Sequence, residues 1–480
     1  MPDLRPHRLK IVSLPAVHKN GPLLNVSGVV ANGLCTQCGV CAAMCPHKVI
    51  DIRRDAHMRY FPTVVSEDPC KTRCKSLCVE VCAGIHEDPS LWSRAPIGAD
   101  SWEDFTVGHV DSAWVGYSTD QGIRSRGTSG GLVIGLLTYL LESKKVDGVL
   151  TIGPNTKDPL QHDIKVVTTA AELADCWGSK YYPMPLGQAF RQLMQAHKKY
   201  AVVLLGCHMR SLRLMERRIA RLRENIVLRV GLICGYCSGF KGMMDQAEDW
   251  GLQDVQSIRR IDYREGKWPG NVRIQAPQFD RRTVIYNFLA RLPFTTNQRC
   301  MMCSDLMNET ADVVVGDAWL RELTERKDEG WSVAAVRNRA AAELMLEAQR
   351  AGALHLEPID VATVIRSQEK PMRYKKNALP IRMAFLARHF KTGLPDYDFT
   401  RFADGFRVNF WNALGNRIFL VMMGIFFERD GLRRAMYRFL PRRLINWWVR
   451  SVFLMIAHEG ESSFLLKWVL NKDPAMNCDA

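Results

Sequence analysis

Two runs of four cysteines fall within the first 82 residues: Cys35, Cys38, Cys41 and Cys45, closed by Pro46, and then Cys70, Cys74, Cys78 and Cys82. Thiols at this density either cross-link the chain or grip metal, so they constrain this stretch more than any apolar pattern does. Disulfides are disfavoured. Met1 to Val26 hold no apolar stretch behind a basic start, so no signal peptide routes the chain to an oxidising compartment, and a cytoplasmic location is expected. Zinc needs only four ligands in paired C-x2-C knuckles, and it leaves the C-x2-C-x2-C triple closed by C-P unexplained. Iron–sulfur ligation explains it, because two-residue spacers let a tight loop aim successive sulfurs at adjacent irons while backbone N–H groups face the sulfides.

The first run has the spacing of the bacterial ferredoxins, in which the fourth cysteine reaches the neighbouring cluster. The second run is less regular: its spacers are all three residues, and Ala83 follows Cys82 where a proline is usual. Between the runs, Val49 to Ile52 and Tyr60 to Val65 read as two short strands. Cysteine run, strand, strand and cysteine run make a pseudo-symmetric two-cluster module over residues 31–86. On that arrangement Cys35, Cys38, Cys41 and Cys82 hold one 4Fe-4S cluster, and Cys45, Cys70, Cys74 and Cys78 hold the other. Metal binding then replaces the hydrophobic core that about fifty residues cannot build.

At 480 residues with 47% hydrophobic side chains, the chain has room for two or three conventional domains beyond this module. Its formal charge of +15 suggests an acidic partner or an anionic surface, although each ligated cubane removes about two of those charges. Nucleic acid is set aside as a partner, since there is no zinc-finger, helix-turn-helix or RNP-like motif and no basic block interleaved with aromatics in the first 400 residues.

Residues 1–30 form a lead-in and 87–110 a Pro- and Gly-punctuated linker. From residue 111 strands and helices alternate: strand Ala113–Tyr117, a glycine-rich turn at 127–131, helix Leu132–Leu141, strand Val146–Ile152, helix Leu186–His197, strand Tyr200–Leu205, helix Met209–Leu222 and strand Val227–Ile233. This alternation predicts an α/β core with a partly parallel sheet. Between about 255 and 292, segments such as Asn271–Gln275 and Thr283–Phe288 predict an antiparallel excursion.

Cys300 and Cys303 form a further C-x2-C pair, and Cys207, Cys234 and Cys237 lie at or just past predicted strand ends, where loops converge on sites. Cys207 and Cys234 complete a four-sulfur set with the pair, and Cys237 could replace Cys234 from the same loop. Cys176 and Cys478 have no matching partners and read as inert thiols. The turn Gly127-Thr128-Ser129-Gly130-Gly131 opens a helix, so its N–H groups could hold a diphosphate or a flavin's polar rim. The alternative is a tight turn with Thr128 or Ser129 as N-cap.

The two cysteine runs, the turn at 127–131, Gly178-Ser179-Lys180-Tyr181, Gly206-Cys207, Cys234, and Cys300-x2-Cys303-x-Asp305 running into 311–317 together resemble the coenzyme F420 hydrogenase/dehydrogenase beta-subunit family. The resemblance covers roughly residues 31–335. It implies FAD, a 4Fe-4S cluster in the flavin domain and a two-cluster ferredoxin-like N-terminal module. The fold class expected is α+β and α/β in several domains, with a flavin domain carrying a mixed sheet over 111–375 and, beyond the resemblance, a basic helical region from 376 to 480. Carried over by position, Thr128, Ser129, Gly130, Gly131, Ser179, Lys180 and Asp317 would contact the flavin, and Cys207, Cys234, Cys300 and Cys303 would bind the third cluster. Gly206 stands where the family commonly has proline. The implied activity is electron relay between a one-electron carrier such as ferredoxin and a substrate or a deazaflavin or nicotinamide carrier at FAD. The alternative is a non-catalytic electron-transfer subunit of a larger redox or polysaccharide-biosynthesis complex. No proton donor is assigned, since His162, His197 and His208 match no motif.

Beyond the resemblance, residues 429–456 mix Arg433, Arg434, Arg438, Arg442, Arg443 and Arg450 with Trp447, Trp448 and other large apolar residues. This composition suits an amphipathic helix pair on anionic lipid, which would add peripheral contact with the inner face of the membrane. It suits better a helical cap packed on the flavin domain or on a partner subunit, since Trp and Arg are also enriched in protein interfaces.

Overall fold

The computed structural model describes residues 23–86 and 106–456, apart from 56–57, 73, 75, 87–105, 156–157, 159, 196–197, 290–291, 326–329, 391, 396–409 and 427–428. Most of the expected lead-in and linker, His197 and Cys478 lie outside the described residues. The strands run β1 Ile50–Arg54, β2 Tyr60–Val64, β3 Ser112–Ser118, β4 Gly148–Pro154, β5 His162–Val167, β6 Tyr200–Leu204, β7 Ile226–Leu232, β8 Arg260–Glu265, β9 Asn271–Ala276, β10 Phe279–Val284, β11 Val313–Asp317, β12 Ser332–Val336 and β13 Leu354–Pro358.

An eight-stranded mixed sheet in the order β13-β3-β12-β11-β7-β6-β4-β5 forms the centre. The four strands β11, β7, β6 and β4 are parallel, and the flanking pairs β4–β5, β11–β12, β12–β3 and β3–β13 are antiparallel. Unbroken apolar runs such as Val313-Val314-Val315 suit strands covered on both faces. The helix Leu132–Glu142 covers one face with Leu132, Leu136, Leu137, Leu140 and Leu141, an i, i+4 stripe that packs on Val149, Ala201 and Val315.

The expected excursion is a three-stranded antiparallel sheet, β10-β9-β8. Its last expected strand, Thr283–Phe288, is instead the end of β10 followed by a helical turn, Ile285–Leu289. The β9 ladder ends at the Val284–Asn271 pair, after which Ile285 and Phe288 bury together at helical spacing. The expected helix Met209–Leu222 is broken at Ile219 into Gly206–Arg218 and Ala220–Asn225. A buried network holds the first of these to the sheet: Arg213 bonds Glu216 at 3.1 Å and Asp312 at 2.9 Å, and Arg229 on β7 reaches the same two carboxylates.

In the N-terminal segment β1 and β2 pair antiparallel between the two cysteine runs, from Ile50–Val64 to Arg54–Tyr60. The C-terminal helices Leu379–His389, Phe410–Phe426, Asp430–Phe439 and Arg442–Ile456 share one core with Phe294, Met301, Met302 and Tyr374. One face of this basic region thus caps the loop that carries Cys300. Among the described residues no single helix is long and apolar enough to cross a membrane; the pair Phe410–Phe426 and Gly431–Phe439 passes jointly by length and composition, bent by 112°.

Candidate redox site

The carboxyl ends of β6, β7 and β11 deliver Gly206, Cys234 and Asp317 to one edge of the sheet, and β3, running in the same sense, delivers Ser118 beside them. Ser118 N–H donates to the Gly130 carbonyl at 2.8 Å, which anchors the glycine-rich turn at that edge. Loops after parallel strands converge here for the reason they do in any open α/β sheet.

The cysteines gather into three sets. In the first, Gly39 turns the chain into the helix Val40–Met44 with φ 71°, where a Cβ would also stand 2.8 Å from Pro185. This places Cys35 and Cys38 ahead of that helix and Cys41 within it. Cys35, Cys38, Cys41 and Cys82 line one small cavity, with Cys78 of the second run also at its wall. Burial pushes up the thiols of Cys35 and Cys41, and that of Cys82 to about 12, with sulfurs of the same set acting in the same direction. The Gln37 N–H donates to the Cys35 sulfur at 3.3 Å.

The second set gathers Cys78, raised by burial to about 11, with Cys74, Cys45 and Cys70 as its neighbouring sulfurs. Cys70 in turn neighbours Cys74 and Cys45, and the Asn25 side chain bonds it. The fourth cysteine of the first run therefore sits with the second run, and Cys82 with the first.

In the third set Cys207 begins the helix Gly206–Arg218, Cys234 follows β7, and Cys300 and Cys303 flank the end of the short helix Gln298–Met301. Burial raises all of them whose shift is resolved, Cys234 to about 12. Cys237 is buried against Cys234, Cys300 and Cys207, and its N–H donates to the Cys300 sulfur. Three cations that sequence reading missed face this set: the Arg210 guanidinium lies 3.6 Å from the Cys303 sulfur, Lys375 acts on Cys303, Cys300 and Cys234, and Arg299 acts on Cys300. Arg210 lies three residues after Cys207, near enough in sequence to have been noticed. Lys375 gave no such signal, since it stands among other charged residues, Glu369, Lys370, Arg373 and Lys376.

Among the described residues no two cysteines are joined, and no three Cys, His, Asp or Glu converge where a single ion could sit. A cubane asks for something else, since each thiolate binds a different iron and the sulfurs stand apart. Desolvated thiols that push one another toward the neutral form, around a shared cavity, fit a group that brings positive charge to thiolates.

The glycine-rich turn is held from behind. Ser129 Oγ donates to the Trp331 carbonyl at 2.5 Å, Gly130 N–H donates to Ser332 Oγ at 3.1 Å, and a Cβ on Gly130 would stand 2.5 Å from the Gly116 carbonyl oxygen. The Ser179 hydroxyl donates to Thr128 Oγ1 at 3.2 Å, joining the turn to the segment 178–181. Gly131 opens the helix Leu132–Glu142 with no side-chain cap, so its first N–H groups are of the kind that bind phosphate. These features fit a dinucleotide's polar end. Lys180 curls onto the carbonyls of Trp177, Gly178 and Cys176, and burial lowers its ammonium to about 8. Asp317 is neither solvated nor unoccupied: Arg264 bonds both its oxygens, at 2.8 and 3.1 Å, and Trp268 Nε1 donates to it at 3.0 Å. Burial lowers His162 to about 3 and His208 to about 4.

The N-terminal segment is fastened to this edge. Arg299, one residue before Cys300 and 1% exposed, donates to the carbonyls of Gly84 and Ala83, and Asn297 donates to the Cys35 carbonyl at 3.0 Å.

Two family profiles match: the N-terminal part of coenzyme F420 hydrogenase/dehydrogenase beta subunits over residues 113–191, and the C-terminal part over 197–362, together just over half of the chain. The chain belongs to the coenzyme F420 hydrogenase/dehydrogenase beta-subunit family. Among curated relatives, it is 24% identical over 72% of its length to a coenzyme F420-dependent sulfite reductase of Methanocaldococcus jannaschii, of which it spans 50%. It is 23% identical over 54% of its length to a coenzyme F420 hydrogenase subunit beta of Methanosarcina barkeri, of which it spans 85%. A chain from the F420-reducing NiFe hydrogenase complex of Methanosarcina barkeri is 19% identical, with 61% of this chain and 98% of that one covered at a TM-score of 0.49. The named relatives are oxidoreductases or their subunits, so this is a family of redox proteins.

Proposed function

We propose that this family member is an iron–sulfur flavoprotein oxidoreductase, relaying electrons between a one-electron carrier such as ferredoxin and a substrate or hydride carrier at FAD. The observation that carries the reading is the order of the sulfur sets. Cys41 of the first set neighbours Cys78 of the second, and Cys38 of the first is the leading sulfur neighbour of Cys207 in the third. The sets thus run in sequence from the N-terminal segment to the sheet edge that bears the glycine-rich turn.

In this reading Cys35, Cys38, Cys41 and Cys82, then Cys45, Cys70, Cys74 and Cys78, then Cys207, Cys234, Cys300 and Cys303 each hold a 4Fe-4S cluster. Thr128, Ser129, Gly130 and Gly131 hold the flavin. Ser179 orients Thr128, Lys180 fixes the loop beside it, and Asp317 orders Arg264 and Trp268 at the same edge. A flavin takes a hydride as two electrons and releases them singly, and a cubane carries one at a time. Relatives named for coenzyme F420 favour a deazaflavin as the hydride carrier.

The alternative of a non-catalytic electron-transfer subunit is supported by the C-terminal surface and by relatives named as subunits. Phe439, Leu454 and Trp447 are 75%, 65% and 64% exposed beside exposed Arg443 and Arg450, a composition suited to a partner subunit or an anionic lipid surface. Anaerobic purification of Cys300→Ala tests the relay. Flavin should remain, with its absorbance no longer following reduction of the N-terminal clusters; unimpaired exchange would remove Cys300 from the path.

A further inference from the structure

We propose that Lys375, with Arg210, is a fixed countercharge to the Cys207, Cys234, Cys300 and Cys303 set, and raises the reduction potential of the cluster held there. This rests on the iron–sulfur reading above.

Lys375 is 2% exposed and lies in the middle of a π-helical turn, Arg373–Asn377, between two α-helical stretches. Such turns re-aim side chains and recur at functional sites. Its neighbour Lys376 pairs with the Glu309 carboxylate, whereas among the described residues Lys375 has no carboxylate within ion-pair distance. Its ammonium lies 3.5 Å from the Cys300 carbonyl and acts on Cys303, Cys300 and Cys234. Asp305 also reaches Cys234, with opposite sign, but forms no ion pair with Lys375. Burying an ammonium without an anion is unfavourable, so the thiolates are its natural partners. Arg210, 2% exposed, approaches from the helix Gly206–Arg218 and acts on Cys207 and Cys303. The set is therefore flanked by these two cations on two elements, with Arg299 acting on Cys300 from a third.

The electrostatic consequence has a sign. Four thiolates leave a cubane with net negative charge, and one-electron reduction makes it more negative. A nearby fixed cation in a water-poor site stabilises the reduced form more than the oxidised one. Neither residue exchanges electrons; both act through the charge they place beside the sulfurs.

The test is a redox titration of the anaerobic full-length protein followed by electron paramagnetic resonance. Lys375→Gln should shift one cluster's reduction equilibrium at least tenfold toward the oxidised form, about 59 mV lower for a one-electron couple. Lys375→Arg should leave it within threefold of the parent, and the other clusters should not move in either variant. An unchanged potential in Lys375→Gln with full iron content overturns the inference, as does an equal fall in Lys375→Arg, which would make the effect one of packing. Should Lys375→Gln not retain the third cluster, Arg210→Gln carries the test, with the same fall expected and an unchanged value overturning the proposal. A parent protein that holds no iron would overturn both this inference and the reading beneath it.

Discussion

Cys234 and Cys237 share one loop, and their surroundings separate them. Lys375 is the strongest charge acting on Cys234, but the weakest of those acting on Cys237, whose N–H already serves the Cys300 sulfur. We expect Cys234→Ser to lose about four irons of about twelve per chain, and Cys237→Ser to keep them all, by iron analysis of anaerobic protein. Equal losses would make Cys237 a ligand. The crossed grouping of Cys45 and Cys82 came from the likeness to two-cluster ferredoxins, since short spacers alone would keep Cys45 with its own run. The cations were not legible, since Lys375 lies far along the chain from Cys303 and reaches it only through tertiary packing. Asp317 was legible only through the family resemblance, and its pairing with Arg264 depends on the β8–β10 sheet reaching that edge.

At the level of elements, the glycine-rich turn and the helix behind it carry the flavin proposal. Gly130 is wedged against β3 and β12, with the Gly116 carbonyl oxygen 2.5 Å and the Ser332 nitrogen 2.9 Å from where a Cβ would lie. Backbone cannot give way as a flexible side chain can, so Gly130→Ala should cost about 1–3 kcal/mol in folding stability. It should also lower flavin content while leaving iron content intact, as read by absorbance and metal analysis. Equal flavin in the variant and parent would remove the turn from the flavin site. Alternating strands and helices made the α/β sheet legible. The helical turn after β10 was not, because a short apolar run suits either conformation until the partner strand ends.

For the whole molecule, the relay depends on the N-terminal segment staying docked. Arg299 bridges it to the Cys300 loop through the carbonyls of Gly84 and Ala83. Arg299→Gln removes those donors from a buried seam at a cost of about 1–3 kcal/mol. Stopped-flow reduction should then show slower transfer from the N-terminal clusters to the flavin with both contents unchanged; an unaltered rate would place the coupling elsewhere. The account as a whole stands on three sulfur sets and one flavin site in a single chain. The most direct measurement is iron, acid-labile sulfide and flavin per chain in protein purified without oxygen. About twelve irons, about twelve sulfides and about one FAD are expected. Four irons or fewer, or no flavin, would contradict it.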